Sequence, residues 1–223
     1  MFKAILNAFR IKEIRNRILF TLGILALYRF GATLTVPGVD PSKIIEQVQT
    51  GVIGMLDLFS GGALGNFAVF SLGIMPYITA SIIMQLLQAV IPKLEEWAKE
   101  GETGRRRINQ IARYMTVGLS FIQSTAMVFF FRNFGAIVEF DFVHVSLIVL
   151  TLTAGTTLIM WLGELINLHG IGNGISLIIF ASIVSRVPGQ LITLIRLKGT
   201  DIFYLILFFA LAVGVVVAIV LIL

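Results

Sequence analysis

Apolar residues in this chain gather in long stretches free of Asp, Glu, Lys and Arg. Such runs occupy residues 18–35, interrupted only by Arg29, then 58–92, 114–131, 142–163, 165–185 and 202–223. About 20 apolar helical residues cross a bilayer core. The pattern therefore predicts an all-α polytopic membrane protein of about six transmembrane helices. The second run is too long for one straight span, since about 35 residues at 1.5 Å each exceed the roughly 30 Å core. Its first third, Ser60-Gly61-Gly62-Ala63-Leu64-Gly65-Asn66, is small and polar, and Pro76 opens a strongly apolar stretch from Tyr77 to Ile91. A short half-helix, a break and then a full span fit this better. Broken backbone at membrane depth is tolerated where it is buried in protein or lines a water-filled cavity, which points to a pathway. The fifth run is broken as well by His169-Gly170-Ile171-Gly172-Asn173-Gly174, so its span starts near Ile175 and has barely enough length before Pro188.

Composition strengthens this reading. Hydrophobic residues make up 57% and charged residues only 13% of the 223 positions, whereas soluble domains carry about 25% charge. A chain so poor in charge cannot cover a water-facing surface. The absence of cysteine excludes disulfides, zinc fingers and Cys nucleophiles. The net charge of +5 is concentrated in short loops, a pattern of membrane topology rather than of nucleic-acid binding. Lys3, Arg10, Lys12, Arg15, Arg17, Lys93, Lys99, Arg105, Arg106, Arg107 and Arg113 fall on one side of the predicted spans; Lys43, Arg132, Arg186, Arg196 and Lys198 fall on the other. The excess puts the N-terminus in the cytoplasm. Residues 1–17 are basic and amphipathic without a small-residue cleavage site, and are read as mature sequence. The last run ends with the sequence and without flanking charge, as expected of a chain cut within or at the end of its sixth span.

Few residues carry recognisable chemistry. Arg29 lies about 18 Å up a helix that begins at Ile18; it either snorkels to an interface or pairs with an acid, or else it serves a pathway directly. Gly61, Gly62 and Gly65 lack the Gly-Lys-Ser/Thr of a phosphate loop, and Gly170, Gly172 and Gly174 follow no soluble strand. Both clusters read as chain bends and close helix approach. Ile74 and Ile78 share a helix face, as do Ile175 and Ile179, which on spacing alone means ordinary packing. The charged stretch 92–113 reads from charge alone as a solvated loop that fixes topology, with docking of an acidic or RNA-bearing partner as the sharper alternative. His-Glu-x-x-His and Gly-x-Ser-x-Gly are both missing, and no paired acids lie within the apolar runs.

Four stretches together resemble the SecY family of protein-conducting channels. They are Tyr28-Arg29-Phe30-Gly31 leading to Val36-Pro37-Gly38-Val39-Asp40; Phe59-Ser60-Gly61-Gly62-Ala63-Leu64 continuing to Leu72-Gly73-Ile74-Met75-Pro76-Tyr77-Ile78 and Ala80-Ser81-Ile82-Ile83; Met160-Trp161-Leu162-Gly163-Glu164 with Gly170-Ile171-Gly172-Asn173-Gly174-Ile175-Ser176; and Glu100-Gly101-Glu102-Thr103-Gly104-Arg105-Arg106. The resemblance implies the first pseudo-symmetric half of a SecY-type helical bundle in the bacterial plasma membrane. Its parts are an amphipathic N-terminus (1–17), span one (18–35), a plug region (56–70) with a plug half-helix, span two (72–91), a cytoplasmic loop (92–113), span three (114–131), span four (142–163), span five (175–187) and span six (202–223).

The resemblance further implies that Phe59, Ser60, Gly61, Gly62, Ala63 and Leu64 belong to a plug that fills the external funnel of the idle channel. Ile74, Ile78, Ile175 and Ile179 would form half of a pore ring. Thr79, Ile82, Ile83, Gln85 and Gln123 would line one wall of a lateral gate through which hydrophobic segments reach lipid. Arg105, Arg106 and Arg107 would meet a cytoplasmic partner. The implied partners are SecE, SecG, the SecA motor, the ribosome, signal sequences, nascent polypeptides and the lipid bilayer. Neither cofactor, metal nor enzymatic activity is implied, and no direct DNA binding. The rivals from other classes are a half-repeat of a secondary transporter, which would use broken helices to bind a solute, and an intramembrane protease. The apolar runs offer no Asp or Glu for a coupling ion and no credible nucleophile with a base.

Overall fold

The computed structural model describes residues 11–48, 54, 57, 60–196 and 202–222. Among them the chain is helical, with helices α1 (Lys12–Gly31), α2 (Pro41–Val48), α3 (Met75–Val90), α4 (Pro92–Lys99), α5 (Glu102–Arg132), α6 (Phe142–His169), α7 (Gly174–Arg196) and α8 (Ile202–Ile222). It divides into two units, Met1–Ser185 and Arg186–Leu223.

In the first unit α6 is the central helix. Ile148, Leu152, Ile159, Leu162 and Ile166 are all fully buried on it, and α1, α3 and α5 pack against it. On α1 the buried positions are Thr21, Ile24, Tyr28 and Gly31. These share one helical face, while Leu19, Leu22, Leu27 and Phe30 remain exposed. An exposed apolar back of this kind is what a lipid-facing surface requires. On α5 the buried positions recur every four residues through Gly104, Ile108, Ala112, Thr116, Ser120 and Ser124. Small side chains there allow close approach to α6, where Ser124 and Thr153 join hydroxyls at 3.3 Å.

Two prolines punctuate the second predicted span. Pro76 sits in the first turn of α3 and Pro92 in that of α4, where a missing N–H costs nothing. Ile91, immediately before Pro92, is extended, as the proline ring demands of its predecessor. The axis consequently turns by 102° between α3 and α4.

The stretch expected as a cytoplasmic loop, 92–113, is instead almost wholly helical, formed by α4 and the start of α5. Its charged residues are good helix formers and make i,i+4 pairs: Lys99 with Glu95 at 2.6 Å and Arg106 with Glu102 at 3.8 Å. The first pair lowers the pKa of Glu95 and raises that of Lys99, in each case chiefly through the hydrogen bond they share. Only Glu100 and Gly101, with a positive φ of 77°, interrupt the two helices. α7 starts at Gly174, close to the expected Ile175, but continues through Pro188. Among the described residues, α5 and α6 are long and apolar enough to cross a membrane, and the bent α3–α4 pair is a third candidate. α1 carries Lys12, Glu13, Arg15, Arg17 and Arg29. The apolar stretches Gly174–Gly189 and Ala210–Leu221 are shorter.

Between α1 and α3 the chain leaves helical geometry. Residues 60–74 run as successive turns, not as the half-helix expected for 60–67; upstream, Gly54 and Asp57 are helical. Glycines at positive φ dictate the change: Gly61 at 66°, Gly62 at 92° and Gly73 at 56°. A strap after α1 holds these turns. The Val36 N–H donates to Phe67 O at 2.9 Å and Val69 N–H to Leu34 O at 2.9 Å. On its other side the strap pairs with 136–138 through Asp40 N–H to Ala136 O at 2.8 Å and Val138 N–H to Gly38 O at 3.1 Å. Asp40 then caps the entry to α2 by accepting from Ser42 N–H and Oγ, which lowers its carboxyl pKa. The second unit contains α8, whose described side chains, 210–221, are all exposed.

Gly155 on α6 lies against the Val69 backbone carbonyl, so a methyl group there would collide with it. Gly118 on α5 has open space in the same direction. Gly155→Ala is expected to lose about 1–3 kcal/mol through overpacking, while Gly118→Ala is neutral or up to about 1 kcal/mol more stable. Thermal unfolding in detergent, followed by tryptophan fluorescence, compares the two.

Candidate functional site

The non-helical segment must satisfy its backbone without water or a helix of its own, and nearby side chains do most of this. Asp57 is buried; its Oδ1 accepts the Gly65 N–H at 2.8 Å and the Ser60 hydroxyl at 3.3 Å. The Ser60 Oγ in turn accepts the Leu64 N–H at 3.1 Å. From the far side of the segment, the Ser71 hydroxyl lies 2.9 Å from Ala63 O and 2.6 Å from Ala68 O. The remaining turns close on themselves, with Gly62 N–H donating to Asp57 O, Phe67 N–H to Leu64 O and Ala68 N–H to Ala63 O.

Two side chains of α1 reach the same segment. Arg29 donates from Nη1 to Gly61 O at 2.6 Å. Arg29 is exposed on α1, and among the described residues its hydrogen-bond partner is the turn segment. Tyr28, only 2% exposed, places its hydroxyl 2.6 Å from Ser182 Oγ on α7 and 3.3 Å from Ser60 O. Its ring stacks on Phe70 at 5.6 Å. Gly61 packs on the Ser182 backbone, 3.0 Å from where a Cβ would stand to Ser182 Cα.

Beside this knot lies a cavity of about 600 Å³, walled by the turn segment, α3, α5 and α7. Ile74, Ile78 and Ile179, three of the four expected ring residues, line it. Ile175 does not; it packs near the Ile78–Ile179 group in the core and approaches Gly163 of α6. Among the described residues of α7, the fully buried isoleucine is Ile178, one residue before Ile179. Of the expected gate residues, Thr79 on α3 and Gln123 on α5 line the cavity. Ile82 and Gln85 are exposed and Ile83 is half-buried, and none of these three belongs to the lining. Ser60 and Leu64 of the expected plug line the cavity, while Gly61, Gly62 and Ala63 are buried behind them. Phe59 lies outside the described residues.

Arg105, Arg106 and Arg107 are all exposed at the start of α5. Arg106 faces Glu102, and Arg107 lies 3.6 Å from Glu100 and over the Trp97 ring. Close by, Arg113 bridges to Glu164 on α6 at 2.6 Å. Groups of three or more His, Cys, Asp or Glu able to hold a metal ion do not occur among the described residues.

Sequence reasoning gave no role to Tyr28, Ser71 or Ser182, and Asp57 fell within the expected plug region 56–70 without a role of its own. Asp57 carried a signal, being an acid immediately ahead of the second apolar run. Ser182 carried none.

The family model described as SecY matches residues 68–223. The protein translocase subunit SecY of Staphylococcus carnosus (strain TM300) is 48% identical over 197 residues, covering 86% of this chain and 46% of that protein. That of Bacillus subtilis (strain 168) is 52% identical over 192 residues, covering 84% and 44%. The chain thus spans about half the length of the curated relatives it matches. Among solved structures, one concerns the plug domain of SecY, said to stabilise the closed state of the translocation channel and maintain a membrane seal. It aligns with a TM-score of 0.56 at 21% identity, over 78% of this chain and 36% of that one. Sec61 in the canine ribosome–channel complex from the endoplasmic reticulum aligns with a TM-score of 0.56 at 21% identity, over 77% and 36%. These structural likenesses concern the fold.

Asp57→Ala leaves the Gly65 N–H without its Oδ1 acceptor inside the protein, while the Ser60 hydroxyl keeps the main-chain O of residue 57 at 3.0 Å. It is expected to cost about 1–3 kcal/mol, and Asp57→Asn, which keeps one acceptor oxygen, less. Chemical denaturation of the purified variants measures the difference.

Proposed function

Because the chain belongs to the SecY family, we propose that it forms the N-terminal half of a protein-conducting channel, carrying the plug, half of the pore ring and one wall of the lateral gate. The observation that carries this reading is the apolar cavity closed by a non-helical segment, a segment held by side chains of α1 and α7 rather than by regular structure of its own. Ile74, Ile78 and Ile179 present branched apolar side chains to the cavity. Such a constriction excludes ions by dewetting and needs no charge. Ile175 supports the ring from behind.

Thr79 and Gln123 give the gate wall enough polarity to admit water, and the α3 face bearing Ile82, Ile83 and Gln85 is the surface along which a hydrophobic segment leaves for lipid. Secretory chains cross, and membrane helices exit sideways, according to how well each segment partitions between the aqueous path and the bilayer. The protein performs no covalent chemistry in this role; a motor or a ribosome supplies the drive.

The assigned setting is the bacterial plasma membrane, with a cytoplasmic N-terminus and spans near 18–35, 72–91, 114–131, 142–163, 175–187 and 202–223. The partners are SecE, SecG, the SecA motor, the ribosome, signal sequences and nascent polypeptides. Arg105, Arg106 and Arg107 belong to the cytoplasmic face, and among the described residues Arg105 is the member of the three that forms no ion pair with an acid.

The test uses the protein at its native length with SecE in lipid vesicles, and compares ion conductance before and after deletion of residues 60–66. The expected result is brief or sustained currents in the deleted form only. Equal tightness of both forms, with solute uptake instead, overturns the plug assignment in favour of a transporter.

A further inference from the structure

The hydroxyls of Tyr28, Ser182 and their neighbours contain more contacts than protons. Tyr28 Oη lies within hydrogen-bond distance of Ser60 O (3.3 Å) and Ser182 Oγ (2.6 Å), and Ser182 Oγ lies 2.8 Å from Ile178 O of its own helix. Two hydroxyl protons serve three contacts. In one arrangement Ser182 donates to Tyr28 and Tyr28 donates to Ser60 O. In the other, Tyr28 donates to Ser182 and Ser182 donates to Ile178 O, leaving the turn segment without this bond. The two differ only by rotation of two hydroxyls, and neither strands a buried hydroxyl of α1 or α7.

Building on the plug reading, we propose that Tyr28 and Ser182 form a two-state hydroxyl latch on the plug. The first arrangement fastens Ser60; the second releases it while both hydroxyls keep partners. A buried hydroxyl that lost its only partner would resist release by its desolvation cost. Ser182, by accepting the Tyr28 proton and turning its own to Ile178 O, removes that cost. Arg29 is the second fastening, through Gly61 O. Gly61, left-handed and pressed on the Ser182 backbone, brings the plug close enough for both.

The latch makes an unusual demand on the two hydroxyls, because their removal acts in opposite directions. Tyr28→Phe abolishes the bond to Ser60 O and loosens the plug. Ser182→Ala removes the competing acceptor, commits the Tyr28 proton to Ser60 O and tightens the plug. A pair that merely packed α1 against α7 would loosen on either change.

The 223 residues hold no cysteine; with any cysteine elsewhere in the assembly replaced by serine, a single Ala63→Cys, buried in the plug, reports its exposure to a membrane-impermeant maleimide added on the extracytoplasmic side. The protein is used at its native length with SecE in vesicles, idle and then engaged with a secretory chain. Tyr28→Phe is expected to label about three- to tenfold faster than its parent when idle, the equivalent of one net hydrogen bond; Ser182→Ala is expected to label more slowly than the parent. Unchanged labelling in Tyr28→Phe, or acceleration by both changes, overturns the latch while leaving the plug in place, provided that engagement still accelerates labelling. If engagement leaves labelling unaltered in the parent, the segment does not move, and the plug reading falls together with the latch.

Discussion

Backbone that leaves helical geometry inside an apolar bundle must find every hydrogen bond locally, and the first unit is organised around meeting that requirement at residues 60–74. Unmet N–H and C=O groups in such surroundings cost several kcal/mol each. The strap after α1 supplies two backbone bonds, to Phe67 and Val69. Asp57, Ser60 and Ser71 supply the interior ones. Tyr28 and Arg29 supply those that reach in from α1. The small residues at Gly155, Gly61 and Gly31 follow from the same requirement, since each allows the segment, or the ring of Phe70 within it, to come within contact of a helix.

The nature of these contacts bears on what the segment can do. Where the surroundings are lipid, apolar burial gives little net drive, because lipid tails are as apolar as leucine. Close packing and hydrogen bonds then carry the cohesion. Phe67 is fully buried edge-on to Phe131, which favours one resting position. Yet each bond to a neighbouring element is worth only about 1 kcal/mol net, so in the proposed channel an arriving polypeptide that replaces a few of them displaces the whole segment. Under the proposed plug role, a seal of this construction is tight at rest and easily opened beside the branched side chains of Ile74, Ile78 and Ile179.

Helices were legible wherever the apolar run was long and uninterrupted: α6 and α5 both stand out in the sequence because charge stops abruptly at their apolar stretches. The unusual second run was also legible, through its length and its glycines. Its form was not, because successive positive-φ glycines produce turns only when a strap and buried acceptors exist to receive the N–H groups, and those partners lie far away in sequence. The helical character of 92–113 was hidden by a charge pattern that serves topology and i,i+4 pairing equally well. Within the site, Ile74, Ile78 and Ile179 line one cavity, whereas Ile175 turns towards Gly163 because the tight α6–α7 approach at Gly163 and Gly174 directs it there. Tyr28 and Ser182, 154 residues apart, meet only through the packing of α1 and α7, and a serine in an apolar helix announces no partner.

Under the proposed channel role, bonds from Asp57, Ser60, Ser71, the strap and α1 hold the turn segment at rest, and the segment gives way as one unit. Amide hydrogen exchange at Gly65 and Ala68, measured at native length in membranes, tests this most directly. Both amides are expected to be protected at rest to a degree comparable with buried amides of α6, and to lose protection together when a secretory chain engages while α6 keeps its own. Free exchange at Gly65 and Ala68 in the idle state would contradict it.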